Sequence, residues 1–253
     1  MNIHILRFDS LDSTNTEAMD QARRGADEGL CVVARQQTAG RGRRGRTWCS
    51  PPDAGLYFSI VLRPELAPDR LPLITLMAGI AVHDAIAEMG LSPDIKWAND
   101  ILVGSKKIAG ILAESVETTT GLAVIIGIGV NLTSSNFPEE ISGIATSLAA
   151  ENTKGLSRSA AAVESLVIKF LPYWYEVLQS ENGSGVVVEE WQKRSSYASG
   201  KHVRAALGDK VIEGITDGLE QDGSLRIRTG NGVTVVQAGD VERIRSRDQS
   251  AGS

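Results

Sequence analysis

Cysteine is nearly missing from this chain: Cys31 and Cys49 are the only two in 253 residues. Two thiols build no disulfide framework, and their scarcity fits a reducing, cytoplasmic setting. Histidine is as sparse, and His4, His83 and His202 stand too far apart for metal-ligand spacing. A structural metal site is not expected. No uninterrupted apolar run approaches the roughly 18 residues of a membrane span. The N-terminus also lacks the charged-then-apolar pattern of a signal peptide, so no membrane partner is expected. Basic residues are not in excess, and the net charge is −5. A general nucleic-acid binder needs a basic surface to neutralise phosphates, so that class is disfavoured for the whole chain. Internal repeats are absent at periods of about 20–50 residues.

Against this background one segment stands out. Gly40-Arg41-Gly42-Arg43-Arg44-Gly45-Arg46 packs four arginines and three glycines into one run, with Trp48 close behind. Four guanidinium groups repel one another, so the run is built to order around an anion. Each guanidinium offers a fork of donors matching phosphate or carboxylate oxygens. The glycines let the backbone approach a ligand closely. In an acidic protein this is a local device, expected to close over a polyanion.

The pattern around it predicts alternating strands and helices. Ile3 to Phe8 reads as a strand, and Thr14 with Glu17 reads as a capping box opening a helix that Gly25 ends. Leu30 to Ala34 is a strand leading into the arginine run. Leu56 to Leu62 is another, with one face much more apolar. Leu71 to Met89 carries a helical period, with Gly90 as its stop. Ile95 to Trp97, Ile101 to Val103, Lys106 to Val116 and Leu122 to Val130 read as strands. The last is almost wholly apolar, which predicts a central place in its sheet. Ser157 to Leu178 reads as a helix that Pro172 kinks or interrupts, and Val186 to Arg194 as a shorter one. From about Gly200, short runs at Lys201–Ala206, Lys210–Thr216, Ser224–Arg228 and Val233–Gln237 between turn residues predict a small β-barrel of about 50 residues. Ser246 to Ser253 is expected to fray.

Other segments carry chemistry. Lys96-Trp97-Ala98-Asn99-Asp100 precedes Lys106-Lys107-Ile108-Ala109-Gly110-Ile111-Leu112-Ala113-Glu114. Neighbouring lysines on a strand face opposite sides, so one is solvated and the other can enter a site. Gly110 would let a flat ligand lie against the backbone. An edge strand with two solvated lysines is the plainer reading. Gly127-Ile128-Gly129-Val130-Asn131 ends its strand with an amide that could read a base or ribose, or simply make a turn. It lacks dinucleotide-fingerprint spacing. Ser13-Thr14-Asn15 reads first as a helix cap, which leaves it able to bind a neutral polar ligand. Trp48 is either core or a ring that covers a ligand.

Taken in order, these motifs resemble the biotin–protein ligase family. Ser-Thr-Asn, the Gln-Thr-Ala-Gly-Arg-Gly-Arg-Arg-Gly-Arg-x-Trp run, Lys-Trp-x-Asn-Asp, Lys-x-Ala-Gly-Ile-Leu and Gly-x-Gly-x-Asn-Leu span Asp9 to Leu148. The related lipoate ligases and octanoyltransferases share the fold, but both the arginine run and Lys-Ile-Ala-Gly-Ile-Leu are not expected in them. One departure is Ala98, where the family usually has proline. It should loosen that turn by about 0.5–1 kcal/mol through chain entropy.

The resemblance implies an α+β fold: a mixed β-sheet flanked by helices, class II synthetase-like, with a C-terminal SH3-like barrel. The implied division is 1–198 catalytic, 199–247 SH3-like and 248–253 a disordered tail. Only about eight residues precede the ligase region, so the DNA-binding domain of repressor-type members is expected to be absent. The implied activity is adenylation of biotin by ATP with Mg²⁺, then transfer of biotin to a lysine of a biotin carboxyl carrier protein of acetyl-CoA carboxylase or a related carboxylase. Ser13, Thr14, Asn15, Gln37, Gly40, Arg41, Arg43, Lys107, Gly110 and Ile111 would hold biotin. Arg41, Arg43, Arg44, Trp48, Asn99, Lys107 and Asn131 would hold the nucleotide, and Asp100 would bind Mg²⁺. Lys107 and Arg43 would carry the catalysis, with both cysteines as bystanders. Monomer and homodimer stay open, as do a nucleic-acid module built on the arginine run, a lipoate or octanoate enzyme, and a weakly active biotin sensor.

Overall fold

The computed structural model describes residues 1–134, 137–151, 159–207, 210–237 and 240–243. In chain order the elements are β1 (His4–Leu11), α1 (Thr14–Arg23), β2 (Leu30–Gln37), β3 (Gly55–Leu62), α2 (Leu73–Glu88), β4 (Pro93–Lys96), β5 (Asp100–Val103), β6 (Lys106–Thr118) and β7 (Gly121–Asn131). They continue with α3 (Glu139–Ser142), α4 (Ala160–Gln179), α5 (Gly183–Lys193), β8 (Ser199–Leu207), β9 (Lys210–Leu219), β10 (Leu225–Thr229), β11 (Gly232–Val236) and β12 (Asp240–Arg243).

Seven strands form one mixed sheet in the order β1-β2-β3-β7-β6-β5-β4. Only β1 and β2 run parallel; the other pairs are antiparallel. The almost wholly apolar β7 takes the centre, as its composition predicts. Its neighbour β3 is buried on both faces, which corrects the expected one-sided strand. The reason is that helices cover both sides. On one face α1 closes a small core of Ala18, Ala22, Val32, Val61 and Ile125. On the other α2, α4 and α5 pack over the main core.

The 21-residue stretch Pro68–Glu88 is apolar and long enough to cross a membrane by length and composition alone. From Leu73 to Ile86 most of its side chains are buried here between the sheet and the other helices: Ile74, Ile80 and Ile86 are fully enclosed. The helix ends at Gly90, whose φ of +77° suits a residue without Cβ.

Pro172 lies inside an uninterrupted α4, contrary to the expected break. A proline in a helix interior costs about 3 kcal/mol. Leu171, Trp174, Tyr175 and Leu178 are all buried around it, and each such side chain gains roughly 1.5–3 kcal/mol. Burial wins. The helix starts later than expected, with Ser159 Oγ accepting a hydrogen bond from Ala162 N at 3.2 Å. Ser157, where it was placed, lies outside the described residues, as does the tail at 248–253.

At the other end of the chain, β8 to β12 form a five-stranded antiparallel sheet in the order β11-β10-β9-β8-β12, an SH3-like unit. β12 and the single turn of α3 are additions to the predicted elements. The turn before β10 seats this unit on the larger one. Trp97 Nε1 donates to Gly223 O at 3.0 Å, and Gly223 lies against Leu73 and Leu76. Its core residues Val203, Ala205, Leu225 and Ile227 are continuous with the main core.

β5 covers β6 only from Lys106 to Gly110. Among the described residues no strand flanks β6 beyond that point on this side, so its second half is an open edge.

Candidate functional site

The site forms where α1, the arginine run, β6 and β7 meet. Thr14 is the first helical residue and Ser13 holds the cap position without a side-chain capping bond. The expected capping box is not made. Instead Thr14 N donates to Gln37 Oε1 at 2.8 Å, and Gln37 Nε2 donates to Ser50 Oγ at 2.8 Å. Ser59 Oγ lies 2.7 Å from Thr14 Oγ1 and 2.6 Å from Asn15 Oδ1. Asn15 Nδ2 donates to Glu114 Oε2 at 2.9 Å. The helix start is thus tied to three strands by polar groups, with Thr14, Asn15, Ser50 and Ser59 buried and Gln37 and Glu114 half-buried. Such a network specifies geometry only because its members are paired.

The two glycines of β7 are steric requirements. Alternate residues share a face of a strand, and a Cβ at Gly127 would collide with Asn15 Oδ1, one at Gly129 with the Trp48 indole. Gly110 of β6 likewise lies against Trp48 and the end of Lys107. Gly40 passes close to Trp48 O and Ser50 Oγ. Trp48 therefore packs onto the sheet, and Lys107 Nζ sits 5.2 Å from its ring centroid. The indole Nε1 is buried with no hydrogen-bond partner among the described residues.

Two spaces meet at Trp48 and Lys107. The smaller is bounded by Ser13, Thr14, Asn15, Gln37, Arg41, Arg43, Trp48, Asn99, Lys107, Gly110 and Ile111, and has an open volume of about 60 Å³. Ligand pockets usually measure roughly 300–1,000 Å³, so a bicyclic ligand enters only if Trp48 or the arginine run shifts. The larger is a cleft of about 900 Å³ bounded by Trp48, Lys96, Asp100, Lys107, Asn131, Phe137, Ile141, Ile144 and Lys201. A third space, about 430 Å³, lies between Arg43, Ile111, Leu76 and Trp97 and the Asp222–Ser224 turn of the SH3-like unit.

The structure brings most of the expected residues to these walls. Arg41 Nη2 meets Glu114 Oε1 at 2.5 Å. Arg43 Nη1 donates to Asn99 Oδ1 at 2.9 Å, while Asn99 Nδ2 donates to Ile111 O at 2.8 Å. Asn99 is thus a clamp on Arg43. Asn131 lines the cleft and donates from Nδ2 to Thr146 O at 2.9 Å, pinning the loop that returns beside Lys107. Arg44 does not join the group: it has φ +56° and donates from Nη1 to Ala206 O of β8 at 3.3 Å. Lys106 is exposed, and Lys107 turns inward as strand alternation requires.

Asp100 pairs with two lysines. Its carboxylate lies 2.5 Å from Lys107 Nζ and 3.6 Å from Lys96 Nζ. Burial alone would raise its pKa, but the two ammonium groups outweigh it and hold the carboxyl below the usual carboxylate range. Among the described residues no group of three or more His, Cys, Asp or Glu could hold a metal ion. The Asp100 carboxylate is engaged by the two lysines instead.

The depressed pKa has a consequence with a definite sign. Folded Asp100 binds a proton less readily than unfolded Asp, whose pKa is about 3.9. Its contribution is complete above that value and is lost as pH falls through the lower folded pKa. Asp100→Asn should therefore lower stability near neutrality and flatten its acid dependence. Urea midpoints between about pH 5 and pH 2 test this, and an unchanged acid slope would count against it.

Sequence reasoning did not assign roles to Ser59, Glu114, Lys96 or Lys201. A glutamate inside an apolar strand was the available signal for Glu114. Nothing local marks Lys201, which the fold alone brings to the cleft.

An arginine-lined pocket and a larger cleft meet at Trp48 and Lys107, and comparison with known proteins shows which class carries this arrangement. The profile of the Biotin/lipoate A/B protein ligase family matches residues 7–131, and that of the biotin protein ligase C-terminal domain matches residues 198–243. The bifunctional ligase/repressor BirA of Bacillus subtilis is 35% identical over 248 residues, covering 96% of this chain and 74% of that protein. The biotin–[acetyl-CoA-carboxylase] ligase of Paracoccus denitrificans is 32% identical over 237 residues, covering 91% and 96%. The biotin protein ligase of Aquifex aeolicus, solved with biotin and ATP, superposes with a TM-score of 0.81 at 29% identity, covering 96% and 99%. The chain belongs to the biotin/lipoate protein ligase family.

Proposed function

We infer that this protein is a biotin–protein ligase: it activates biotin with ATP to biotinyl-5′-AMP and transfers biotin to a lysine of a biotin carboxyl carrier. The observation that carries the reading is the meeting of the small polar pocket and the large cleft at Lys107. A carboxylate held in the first space and a nucleotide in the second would react across that ammonium.

Ser13, Thr14 and Gln37 supply hydroxyl and amide groups suited to a ureido ring, and Gly110 and Ile111 give the pocket wall. Arg41 and Arg43 close the pocket and shield the adenylate phosphate from water. Trp48 and the apolar side chains of Ile141 and Ile144 suit an adenine ring at the cleft, which Asn131 also lines. Lys107 stabilises charge on the α-phosphate and the attacking carboxyl oxygen. The acyl phosphate is already activated, so no nucleophile from the enzyme is needed, and positioning plus charge dominate. Mg²⁺ is proposed to arrive with ATP, ligated mainly by phosphate oxygens and water. The open edge of β6 offers unpaired backbone groups to a carrier strand or to a second copy of the chain. Arg41, Arg43 and Arg44 each bond within the protein, which favours the ligase reading over a nucleic-acid module.

Pyrophosphate exchange into ATP, run in parallel with biotin, lipoate and octanoate, tests the reading. Exchange with biotin alone is expected. Exchange with lipoate or octanoate instead would reassign the pocket, and no exchange with any acid would leave a sensor. The glycine geometry gives a further expectation. Gly127→Ala should press on Asn15 and weaken biotin binding roughly tenfold, the scale of an overpacked site. Calorimetric titration with biotin checks this, and wild-type affinity would show that Asn15 yields freely.

A further inference from the structure

We propose that Lys96 and Lys201 hold the pyrophosphate leaving group of the adenylation step, so the SH3-like unit contributes a binding residue to the first half-reaction. The proposal rests on the ligase reading above.

In phosphoryl transfer the entering and leaving oxygens lie roughly in line on opposite sides of phosphorus. Lys107 bounds both the carboxylate pocket and the 900 Å³ cleft, so a phosphate at its ammonium can be entered from the first and left into the second. As the carboxylate oxygen bonds to the α-phosphorus, the bond to the bridging oxygen breaks and its electron pair leaves on pyrophosphate. No proton is required. Almost all the charge of the reactants departs into the cleft, so cations are needed there and not only at Lys107.

Lys96 and Lys201 line this cleft. Lys96 projects from the end of β4, and its Nζ lies 3.6 Å from Asp100 Oδ2, too long for a strong hydrogen bond. Lys201 projects from β8. Its Nζ donates to Ser196 Oγ at 3.0 Å and lies 5.0 Å from the Tyr197 ring centroid. Among the described residues Lys201 has no carboxylate partner. Asp94 stands one step removed, accepting from Ser196 Oγ at 2.6 Å. An ammonium held by a hydroxyl and an aromatic face keeps most of its charge available to a phosphate oxygen. Asp100, already shared by two lysines, fixes Lys107 for the α-phosphate and leaves Lys96 able to swing outward.

The experiment separates the two half-reactions. Lys96→Ala and Lys201→Ala are assayed for biotin-dependent pyrophosphate exchange, and separately for transfer from supplied biotinyl-5′-AMP to a carrier domain. Each variant is expected to raise the KM for pyrophosphate and for ATP roughly 10- to 100-fold, the scale of one lost charge-assisted hydrogen bond. Transfer from the supplied adenylate should stay within about twofold of wild type, since that step involves no pyrophosphate. Lys201→Arg should recover much of the loss. Lys169→Ala, an exposed lysine of α4 paired with Glu88 and outside all three spaces, should behave as wild type. An unchanged pyrophosphate KM in Lys201→Ala overturns the proposal. So does an equal fall in both half-reactions, which marks a structural role. Absence of exchange in the wild type overturns the ligase reading itself, and is recognised before any variant is compared.

Discussion

Lys107→Ala is expected to slow biotin adenylation by roughly 10²–10³-fold, the scale of removing one aimed donor where charge develops. The geometry explains why the loss should be concentrated in this step. Among the described residues Lys107 is the one ammonium bounding both the small pocket and the large cleft. It is positioned from three directions: strand β6 aims it inward, Asp100 holds it at 2.5 Å, and the Trp48 ring lies beneath it. Removal would also leave Asp100 with Lys96 alone. Asp100 is half-buried, so part of any stability loss would belong to it and not to catalysis. Single-turnover adenylate formation alongside a thermal melt separates the two. A wild-type burst in a folded variant would remove Lys107 from the reacting centre.

The second large effect concerns retention of the intermediate. Arg43→Gly should release biotinyl-5′-AMP into solution at least roughly tenfold faster, because one charge-assisted contact and its packing are lost together. Arg43 bounds both the small pocket and the 430 Å³ space on its far side. Its guanidinium, clamped by Asn99, is a partition between them. Glycine would open that partition and free the loop entropically. Biotin found on bystander lysines of an added inert protein, without any carrier, is the direct readout. If the variant labels bystanders no faster than wild type, Arg43 does not close the site.

Much of this site could be read from the chain because its parts lie in short runs. Gly40 to Trp48, Asn99 with Asp100, and Lys107 to Ile111 each carry an unusual residue set whose chemistry is local. The strands β3 and β7 and the helix α2 were legible for a related reason: each is a long, nearly unbroken apolar run. Other features depend on distant partners. Thr14 resembles a helix cap by its neighbours, yet its amide is taken by Gln37, a residue 23 positions away. Pro172 resembles a helix breaker until the burial around it is counted. β12 is short and charged, and it forms by pairing with β8. Glu114 and Ser59 became visible only when the sheet order was known, since their roles are set by what lies across the strands.

The seating of the SH3-like turn on Trp97 reaches beyond the site. A buried indole donor and two leucines of α2 depend on Gly223 for their cover. The two units should therefore melt as one body, with calorimetric and van't Hoff enthalpies in agreement. A chain cut after residue 198 would not be an isolated ligase domain. It would present an unsatisfied tryptophan and a bare leucine surface to water, and would be prone to clump before it could be assayed.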